Sequence, residues 1–354
     1  MKKINSSIGR ILLVFGASIL FGALNQGCNY PVEYVNGNIN SHTTWNSNTI
    51  YVIGEGVHYV NALLTIKPGA IVKFSPGSSL TLGQGGKIIA KGTYVERVVF
   101  TSIKDDLWGG DTNADGDMTK PARKDWLHID TNGANGSVFE RCVFSYGGAG
   151  SYSSTLKISS GSIATVRDCE FSNNAGKKYT GEGALDAYGA SSGTVIEGNN
   201  FWDNTLPLSI NTAVSIDDSN QFHSTIGGST NKFNGIYVWN PDHIKGKTIW
   251  EETEVAFVID GSFWINSGAK LELGDHVVLK FTHNVTLFLK DGASAIVNRN
   301  GNGVCFTSIK DDSFKGDTNG DGSMTSPAKY DWDGIYNEYS ADYLRKGNIL
   351  FDSH

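Results

Sequence analysis

The sequence predicts an all-β protein in which short strands repeat along the chain. Three observations support this prediction: turn-forming residues are abundant, apolar residues alternate with polar ones over short segments, and related segments recur at two scales. Gly is frequent (43 residues), Pro is rare (7), and charged residues make up only 18% of the 354 residues. This composition is typical of a turn-rich β protein. The net charge of −7, without a basic patch, argues against nucleic acid as a partner.

Residues 1–28 have the features of a secretory signal. Basic residues up to Arg10 precede the apolar stretch 11–24, which is too short to predict a membrane-spanning helix. The next residues, LNQGC, resemble a bacterial lipobox, although Leu24 stands four residues before Cys28 and the pattern has three. The resemblance implies that Cys28 is lipidated and that a lipid anchor alone holds the protein to the cell envelope, as an outer-membrane or surface lipoprotein. The alternative is an ordinary signal peptide cleaved nearby, which implies secretion.

A repeat of about 22 to 30 residues organises the chain after residue 126. The segments SVFERCVFS, ATVRDCEFS and TVIEGNNFW align on Phe144, Phe171 and Phe201. Other short segments with alternating apolar residues lie between them. These predicted strands are 126–130, 155–159, 184–188, 207–211 and 235–239. Because each copy buries only one side, successive copies must stack, with strands about 4.8 Å apart.

The stacked pattern resembles the right-handed parallel β-helix family, the fold of many pectate-lyase-like proteins, over most of residues 40–354. The resemblance implies an all-β solenoid with internal ladders of equivalent apolar side chains. Cys142 and Cys169 occupy the same place in two successive repeats, and Cys305 is the third cysteine after the signal. An odd number of cysteines argues against a disulfide framework, so we expect buried thiols.

A longer repeat, with a spacing of 205 to 207 residues, predicts a tandem duplication of the N-terminal unit. Residues 100–129 and 306–335 are identical at twenty of thirty positions without a gap. We therefore expect a first unit at 29–240, with stacked repeats over 126–240, and a second, shorter unit at 241–354.

Each unit contains an acidic loop, at 103–125 in the first unit and at 309–331 in the second. In both loops Asp and Asn alternate around a Gly, which resembles the first half of an EF-hand calcium loop. The resemblance implies a structural Ca²⁺ ion held by Asp111, Asn113, Asp115 and Asp117 in the first loop, and by Asp317, Asn319 and Asp321 in the second. Ala replaces the Glu of EF-hand position twelve, so further ligands must come from nearby. The candidates are Asp105, Asp106 and Asp125, with Asp311, Asp312 and Asp331 in the second loop. The alternative is a loop of polar Asx turns without an ion.

Polar residues on the strands after the first loop define an outward row, because alternate residues of a strand point to opposite faces. Stacking is expected to bring His128, Lys157 and Asp186 together. A basic residue beside a carboxylate resembles the arrangement with which β-helix polysaccharide lyases remove a proton next to a uronate, which implies catalytic roles for these three. The aromatic residues expected to stack on sugar rings are Tyr188, Tyr237 and Trp239. The alternative is an ordinary solvated face with stabilising charge pairs.

Together, these features predict an exported, lipid-anchored surface protein that binds glycans or mediates adhesion and carries structural calcium. The expected partner is a polysaccharide or a host or cell-surface glycan. The competing hypothesis is a polysaccharide lyase or glycoside hydrolase that acts on an acidic polysaccharide. A third is a purely structural spacer in the envelope.

Overall fold

The computed structural model describes residues 30–151, 153–239, 241–298, 303–343 and 349–351, and these residues are nearly all β. The predicted signal and Cys28 lie outside the described residues. Within the described part of the chain, no helix has the length and apolar character needed to cross a membrane. The prediction of an all-β chain is confirmed.

The strands are short and are numbered in chain order. In the first unit they are β1 (Val32–Val35), β2 (Thr43–Trp45), β3 (Ile50–Ile53), β4 (Gly56–Val60), β5 (Leu63–Ile66), β6 (Ile71–Phe74), β7 (Ser78–Leu82), β8 (Lys87–Lys91), β9 (Val98–Ser102), β10 (Ile129–Asp130), β11 (Ser137–Glu140), β12 (Cys142–Ser145), β13 (Leu156–Lys157), β14 (Ala164–Arg167), β15 (Glu170–Ser172), β16 (Leu185–Ala187), β17 (Val195–Glu197), β18 (Asn200–Trp202), β19 (Leu208–Ile210) and β20 (Gly235–Trp239). In the second unit they are β21 (Lys247–Trp250), β22 (Ala256–Asp260), β23 (Phe263–Ile265), β24 (Lys270–Leu273), β25 (Val278–Phe281), β26 (Thr286–Leu289), β27 (Ile296–Asn298), β28 (Val304–Ser308), β29 (Gly334–Asn337), β30 (Asp342–Tyr343) and β31 (Ile349–Phe351). Short 3-10 helices occur at Lys178–Thr180 and Gly292–Ala295.

The first unit passes repeatedly through three parallel sheets. The seven-stranded sheet has the order β1-β3-β6-β9-β12-β15-β18, and the six-stranded sheet has the order β2-β5-β8-β11-β14-β17. The eleven-stranded sheet has the order β4-β7-β10-β13-β16-β19-β20-β22-β25-β28-β31, so it continues into the second unit. Within the first unit a strand typically pairs in parallel with the third strand after it, as β7 does with β10 and β8 with β11. Long stacks of parallel strands are consistent with the predicted β-helix.

The interior contains a ladder of phenylalanine rings. Phe100, Phe144, Phe171, Phe201 and Phe222 stack in succession, with centroid separations of 4.8, 4.7, 5.0 and 5.3 Å. The strand register pairs Phe144 with Phe171 and Phe171 with Phe201, which confirms the alignment made from the sequence. Burial of each ring stabilises the fold by about 1.5–3 kcal/mol, and each stacked pair adds roughly 0.5–1.5 kcal/mol.

Among the described residues, Cys142, Cys169 and Cys305 are buried thiols outside any disulfide, as predicted. The backbone N–H of Cys142 points to Cys169 Sγ at 3.4 Å. In the following repeats Asn199 and Asn220 take the equivalent place: Cys169 N donates to Asn199 Oδ1 at 3.0 Å, and Asn199 N donates to Asn220 Oδ1 at 3.1 Å. These side chains supply acceptors for backbone N–H groups at turns that are buried away from water.

Among the described residues, the eleven-stranded sheet is the one sheet of the first unit that continues into the second. In chain order, β21 to β29 match β2 to β10. However, β22, the counterpart of β3, pairs with β20 in the eleven-stranded sheet, whereas β3 belongs to the seven-stranded sheet. The counterparts of β4, β7 and β10 form a separate sheet, β23-β26-β29-β30, in which only the β29–β30 pair is antiparallel. Strands β21-β24-β27 form another. Within the second unit the strand order repeats that of the first, as β22-β25-β28 repeats β3-β6-β9. The difference lies at the junction, where β22 joins the sheet that contains β20.

Candidate functional site

The first acidic loop joins β9 to β10 and folds back over the outer face of the seven-stranded sheet. Trp108 packs there against the apolar cluster that includes Ile50 and Ile71. At the end of the loop, Trp126 enters the core and stacks on Phe74 with 4.0 Å between ring centroids. These apolar contacts hold the loop against the sheet near both of its ends.

Carboxylates crowd together inside this loop. Asp111 accepts the backbone N–H groups of Asp115 at 3.2 Å and Gly116 at 2.8 Å, and Asn113 Nδ2 donates to Asp115 Oδ2 at 2.8 Å. Burial, followed by the charges of Asp111 and Asp115, raises the pKa of Asp106. Three buried oxygens have no hydrogen-bond partner: Asp106 Oδ1, Asn113 Oδ1 and Asp115 Oδ1. Asx-type turns therefore account for part of the loop but leave these acceptors unsatisfied, which is costly.

A buried lysine lies between the sheet and the loop. Lys73, on β6, is fully buried, and its Nζ donates to Gly110 O at 2.7 Å. Burial lowers the pKa of Lys73 to about 8, although Asp105, Asp106 and Asp111 act in the opposite direction. The ammonium group of Lys73 thus faces three carboxylates of the loop, those of Asp105, Asp106 and Asp111.

The second acidic loop has the same internal arrangement. Asp317 accepts the N–H groups of Gly320 at 2.6 Å and Gly322 at 2.7 Å, and Asn319 Nδ2 donates to Asp321 Oδ2 at 3.0 Å. Carboxylate oxygens of Asp312, Asp317 and Asp321 lie within 4.8 Å of one another. Asp312 Oδ1 and Asp321 Oδ1 are buried without a hydrogen-bond partner. The lysine is also repeated, because Lys280 Nζ donates to Gly316 O at 2.5 Å.

The structure sorts the predicted ligands into two groups. Asp312, named only as a supplementary candidate, lies with Asp317 and Asp321 in the second loop. Its counterpart Asp106 is influenced by the charges of Asp111 and Asp115 in the first loop. Asp117 lies apart, because its side chain is 90% exposed and its Oδ1 is 2.5 Å from Lys120 Nζ. Asp125 is also occupied elsewhere: it accepts from Ser102 Oγ at 2.7 Å and forms an ion pair with Lys104.

The remaining candidate ligand atoms are carboxylate and amide oxygens. Such a set fits a hard divalent cation, and Ca²⁺ accepts six to eight oxygens in flexible geometry. Asp106, Asp111, Asn113 and Asp115 would hold it in the first loop. The second loop offers Asp312, Asp317, Asn319 and Asp321.

The predicted charged row is assembled differently from expectation. Lys157 and Asp186 are register partners, as expected, but the residue opposite Lys157 on the other side is Asp130, not His128. Asp130 Oδ2 lies 3.6 Å from Lys157 Nζ. His128 precedes Asp130 by two residues in the chain. Burial lowers the pKa of His128, and the charge of Lys157 lowers it further. The expected adjacency of His128 to Lys157 in the row is therefore corrected to Asp130.

Asp186 is enclosed by hydrogen-bond donors. Only 8% of the residue is exposed, and its carboxylate accepts from Ser154 Oγ at 3.1 Å, Ser209 Oγ at 3.0 Å and Tyr188 N at 3.0 Å. Burial raises the pKa of Asp186, whereas Lys157 opposes this effect. A carboxylate saturated in this way is suited to holding neighbouring strands together.

The predicted sugar-stacking residues also divide. Tyr188 is 40% exposed and open to a ligand. Tyr237 is only 2% exposed, and its hydroxyl donates to Thr318 O at 2.5 Å in the second acidic loop. Its ring is therefore covered by the second acidic loop. Trp239 is half-buried and packs closely against Gly181. A Cβ atom added to that glycine would lie only 2.3 Å from the Trp239 Cβ.

An outward aromatic row on the second unit was missed in the sequence. Trp264, Phe288 and Tyr336 are register partners at the centres of β23, β26 and β29, and each is partly exposed. Trp264 stacks on Phe288 at 4.5 Å, and Phe288 meets Tyr336 edge to face at 6.0 Å. His243 stacks on Trp264 at 5.0 Å, and Tyr343 lies 5.1 Å from Tyr336. The signal was present, because each of the three central aromatic residues stands between two buried residues, as period-two alternation requires.

Polar groups border this aromatic row. Trp264 Nε1 donates to Glu338 Oε1 at 2.9 Å, and Glu338 Oε2 lies 3.5 Å from Lys290 Nζ. His243 Nδ1 lies 2.8 Å from Asn266 Oδ1. The row therefore combines apolar ring surface with hydrogen-bonding side chains of both charges.

Comparisons with known proteins gave no match to a family model, to a curated protein or to a solved structure.

Proposed function

We propose that this chain is an exported, lipid-anchored surface protein that binds glycans on a calcium-stabilised β-helix. The scaffold is a right-handed parallel β-helix in which the N-terminal unit is duplicated in tandem. The observation that carries the binding function is the outward aromatic row of Trp264, Phe288 and Tyr336.

The chemistry of the row matches that of a sugar chain. A saccharide presents C–H groups that pack on aromatic surface and hydroxyls that need hydrogen-bond partners. Tyr and Trp suit such ligands because they combine an apolar body with a polar tip. The row places one ring on each of three successive strands, and Glu338, Lys290 and Asn266 supply donors and acceptors at its border. Tyr188, exposed on the first unit, is a second contact in this proposal.

Structural calcium accounts for the unsatisfied oxygens of the acidic loops. Asp106 Oδ1 and Asp115 Oδ1 in the first loop, like Asp312 Oδ1 and Asp321 Oδ1 in the second, are buried acceptors without donors. A bound cation satisfies such oxygens and removes the repulsion between adjacent carboxylates. The ion would order a long excursion between strands and would take no part in chemistry.

Glycan retention tests the binding function. The purified protein is applied to immobilised neutral and acidic polysaccharides, and Trp264→Ala and Phe288→Ala are compared with wild type. We expect each variant to bind about tenfold more weakly, which corresponds to roughly 1.4 kcal/mol. Tyr94→Ala is the matched control, because Tyr94 is an exposed aromatic residue on a turn outside the row. Equal retention by all variants, each shown to be folded by circular dichroism, would sink the proposed surface.

The enzymatic alternative places lyase or hydrolase chemistry at His128, Lys157 and Asp186. The favouring observation is that Lys157 lies between two carboxylates, those of Asp130 and Asp186, on one outward row. Incubation with acidic polysaccharides, followed by absorbance of unsaturated products, tests it. Product that disappears in Lys157→Ala and Asp186→Ala would support this alternative. If the protein forms no product and is retained on no polymer, a purely structural spacer is favoured.

Localisation has its own test. A Cys28→Ser variant is expected to lose the lipid mass and to move from the membrane fraction to the soluble fraction. Wild type that carries no lipid would overturn the anchor and favour secretion.

A further inference from the structure

The second acidic loop contacts the first unit through its own backbone carbonyl groups, which accept hydrogen bonds from side chains of that unit. Tyr237, on β20, donates its hydroxyl to Thr318 O at 2.5 Å. Lys178 Nζ, in the loop between β15 and β16, donates to Asn319 O. Thr318 is fully buried, and an added Cβ at Gly320 would lie 2.3 Å from Phe233 Cε1. The segment 318–320 is thus pressed against the first unit.

Further contacts hold this loop beside the start of the second unit. Lys315 Nζ donates to Thr253 O, between β21 and β22. Ile309, at the start of the loop, packs against a cluster formed by Leu206, Tyr237 and Val258. Leu206 and Tyr237 belong to the first unit and Val258 to the second, so the loop covers the place where the units meet.

The first acidic loop is held differently. Lys73 Nζ donates to Gly110 O, Gly109 lies against Ile50, and Arg123 Nη2 donates to Asp203 O. All of these partners belong to the first unit, to which the loop itself belongs. Two loops with nearly the same sequence therefore have different docking partners.

We propose that the second acidic loop is an ion-dependent clamp between the two units. This inference rests on the proposed calcium binding. The first unit donates hydrogen bonds to the carbonyls of Thr318 and Asn319. In the chain, these two residues stand between Asp317 and Asp321. An ion that fixes these carboxylates also fixes the carbonyls in the position that Tyr237 and Lys178 require. By linkage, the grip of the first unit strengthens ion binding by the same factor.

Amide hydrogen exchange of the full chain, with calcium or with a chelator, tests the clamp. The reporter is strand β20, Gly235–Trp239, and the variants are Asp115→Ala and Asp321→Ala. We expect the chelator to raise exchange in β20 of wild type and of Asp115→Ala. In Asp321→Ala, exchange in β20 should be high already and should not respond to calcium. Equal behaviour of the two variants at β20 would overturn the clamp.

Tyr237→Phe and Lys178→Met test the grip without removing a proposed ion ligand. Tyr237→Phe removes one hydrogen bond, and Lys178→Met removes one hydrogen bond together with the ammonium charge over the Phe233 ring. For each we expect about a fivefold rise in exchange at β20 and weaker calcium binding at the second loop. If neither variant changes exchange or calcium affinity, the clamp is overturned even though the loops bind calcium. If calcium changes exchange in neither loop, calcium binding itself fails, and the ion dependence of the clamp is overturned with it.

Discussion

The two acidic loops show how one local sequence can serve two positions in a fold. Inside each loop, an Asp accepts backbone N–H groups at the same turn, an Asn donates to the next Asp, and a buried lysine donates to a Gly carbonyl. Outside, the first loop rests on its own unit and the second reaches across to the other. Local residues therefore determine the internal geometry, whereas the stacking of the units determines what each loop touches.

The change of sheet between the units explains this difference. The first loop leaves from β9, in the seven-stranded sheet, and the second leaves from β28, in the eleven-stranded sheet. On the eleven-stranded sheet, strand register carries the outward row from Lys157 through Asp186, Ser209 and Tyr237 towards Lys280. The second loop covers the far end of this row, which is why Tyr237 is buried.

Removal of the tryptophan anchors is expected to have the largest effect. Trp126 stacks on Phe74 at 4.0 Å and Trp332 stacks on Phe281 at 4.1 Å, and both tryptophans are fully buried. Trp126→Ala and Trp332→Ala should each lower the free energy of unfolding by about 3–5 kcal/mol, measured by denaturant titration. Trp126→Phe and Trp332→Phe are the controls with a smaller expected loss, because each keeps an aromatic ring stacked on the partner phenylalanine. If only one of the Ala variants is destabilised, the two anchors are not equivalent.

Calcium removal is expected to have the next largest effect. At a free ion concentration one hundred times the Kd, each occupied loop contributes about 2.7 kcal/mol to stability. A chelator should therefore lower the Tm of wild type, lower it less in Asp115→Ala or Asp321→Ala, and leave the double variant unchanged. An unchanged wild-type Tm in the presence of the chelator would contradict ion binding in both loops.

The segments that lead from β2 to β3 and from β21 to β22 give a third contrast. The first reads NSNT, and the second reads EETEV and contains Glu252. Glu252 is fully buried, and burial raises its pKa to about 8, helped by the charges of Asp218 and Glu254. Because the folded chain holds this proton more tightly than the unfolded chain, the stability that it contributes is complete below about pH 4.5 and is lost as the pH rises through 8.

Glu252→Gln should remove this pH dependence, because the amide stays neutral. At pH 9 we expect the variant to be more stable than wild type by at least about 1.4 kcal/mol, the free energy of one pKa unit. The comparison uses urea unfolding at pH 5 and pH 9. A wild-type-like decline between these pH values in Glu252→Gln would show that another group is responsible.

Much of the fold, but less of the candidate site, could be predicted from the sequence. Period-two alternation located the strands, and the alignment on Phe144, Phe171 and Phe201 gave the register of the interior. The sequence could not reveal that β22 stacks on β20, because that pairing depends on how the seven-stranded sheet ends. The burial of Tyr237 under the second acidic loop was likewise not visible in the sequence. Asp106 was named only as a supplementary candidate because it lies outside the alternating motif. The influence of Asp111 and Asp115 on its pKa depends on the folding of the loop.

The substitution of Asp117 by Ser323 between the loops should have the smallest effect. If the Asp117 side chain were a ligand, the second loop would bind its ion more weakly than the first. Its side chain is 90% exposed and its carboxylate is paired with Lys120. We therefore expect Asp117→Ser to change stability by less than about 0.5 kcal/mol and to leave calcium affinity unchanged, measured by calorimetry beside Asp115→Ala. A clear loss of affinity in Asp117→Ser would mean that the ion draws this side chain inward, and the two loops would then differ in their ligands as well as in their docking.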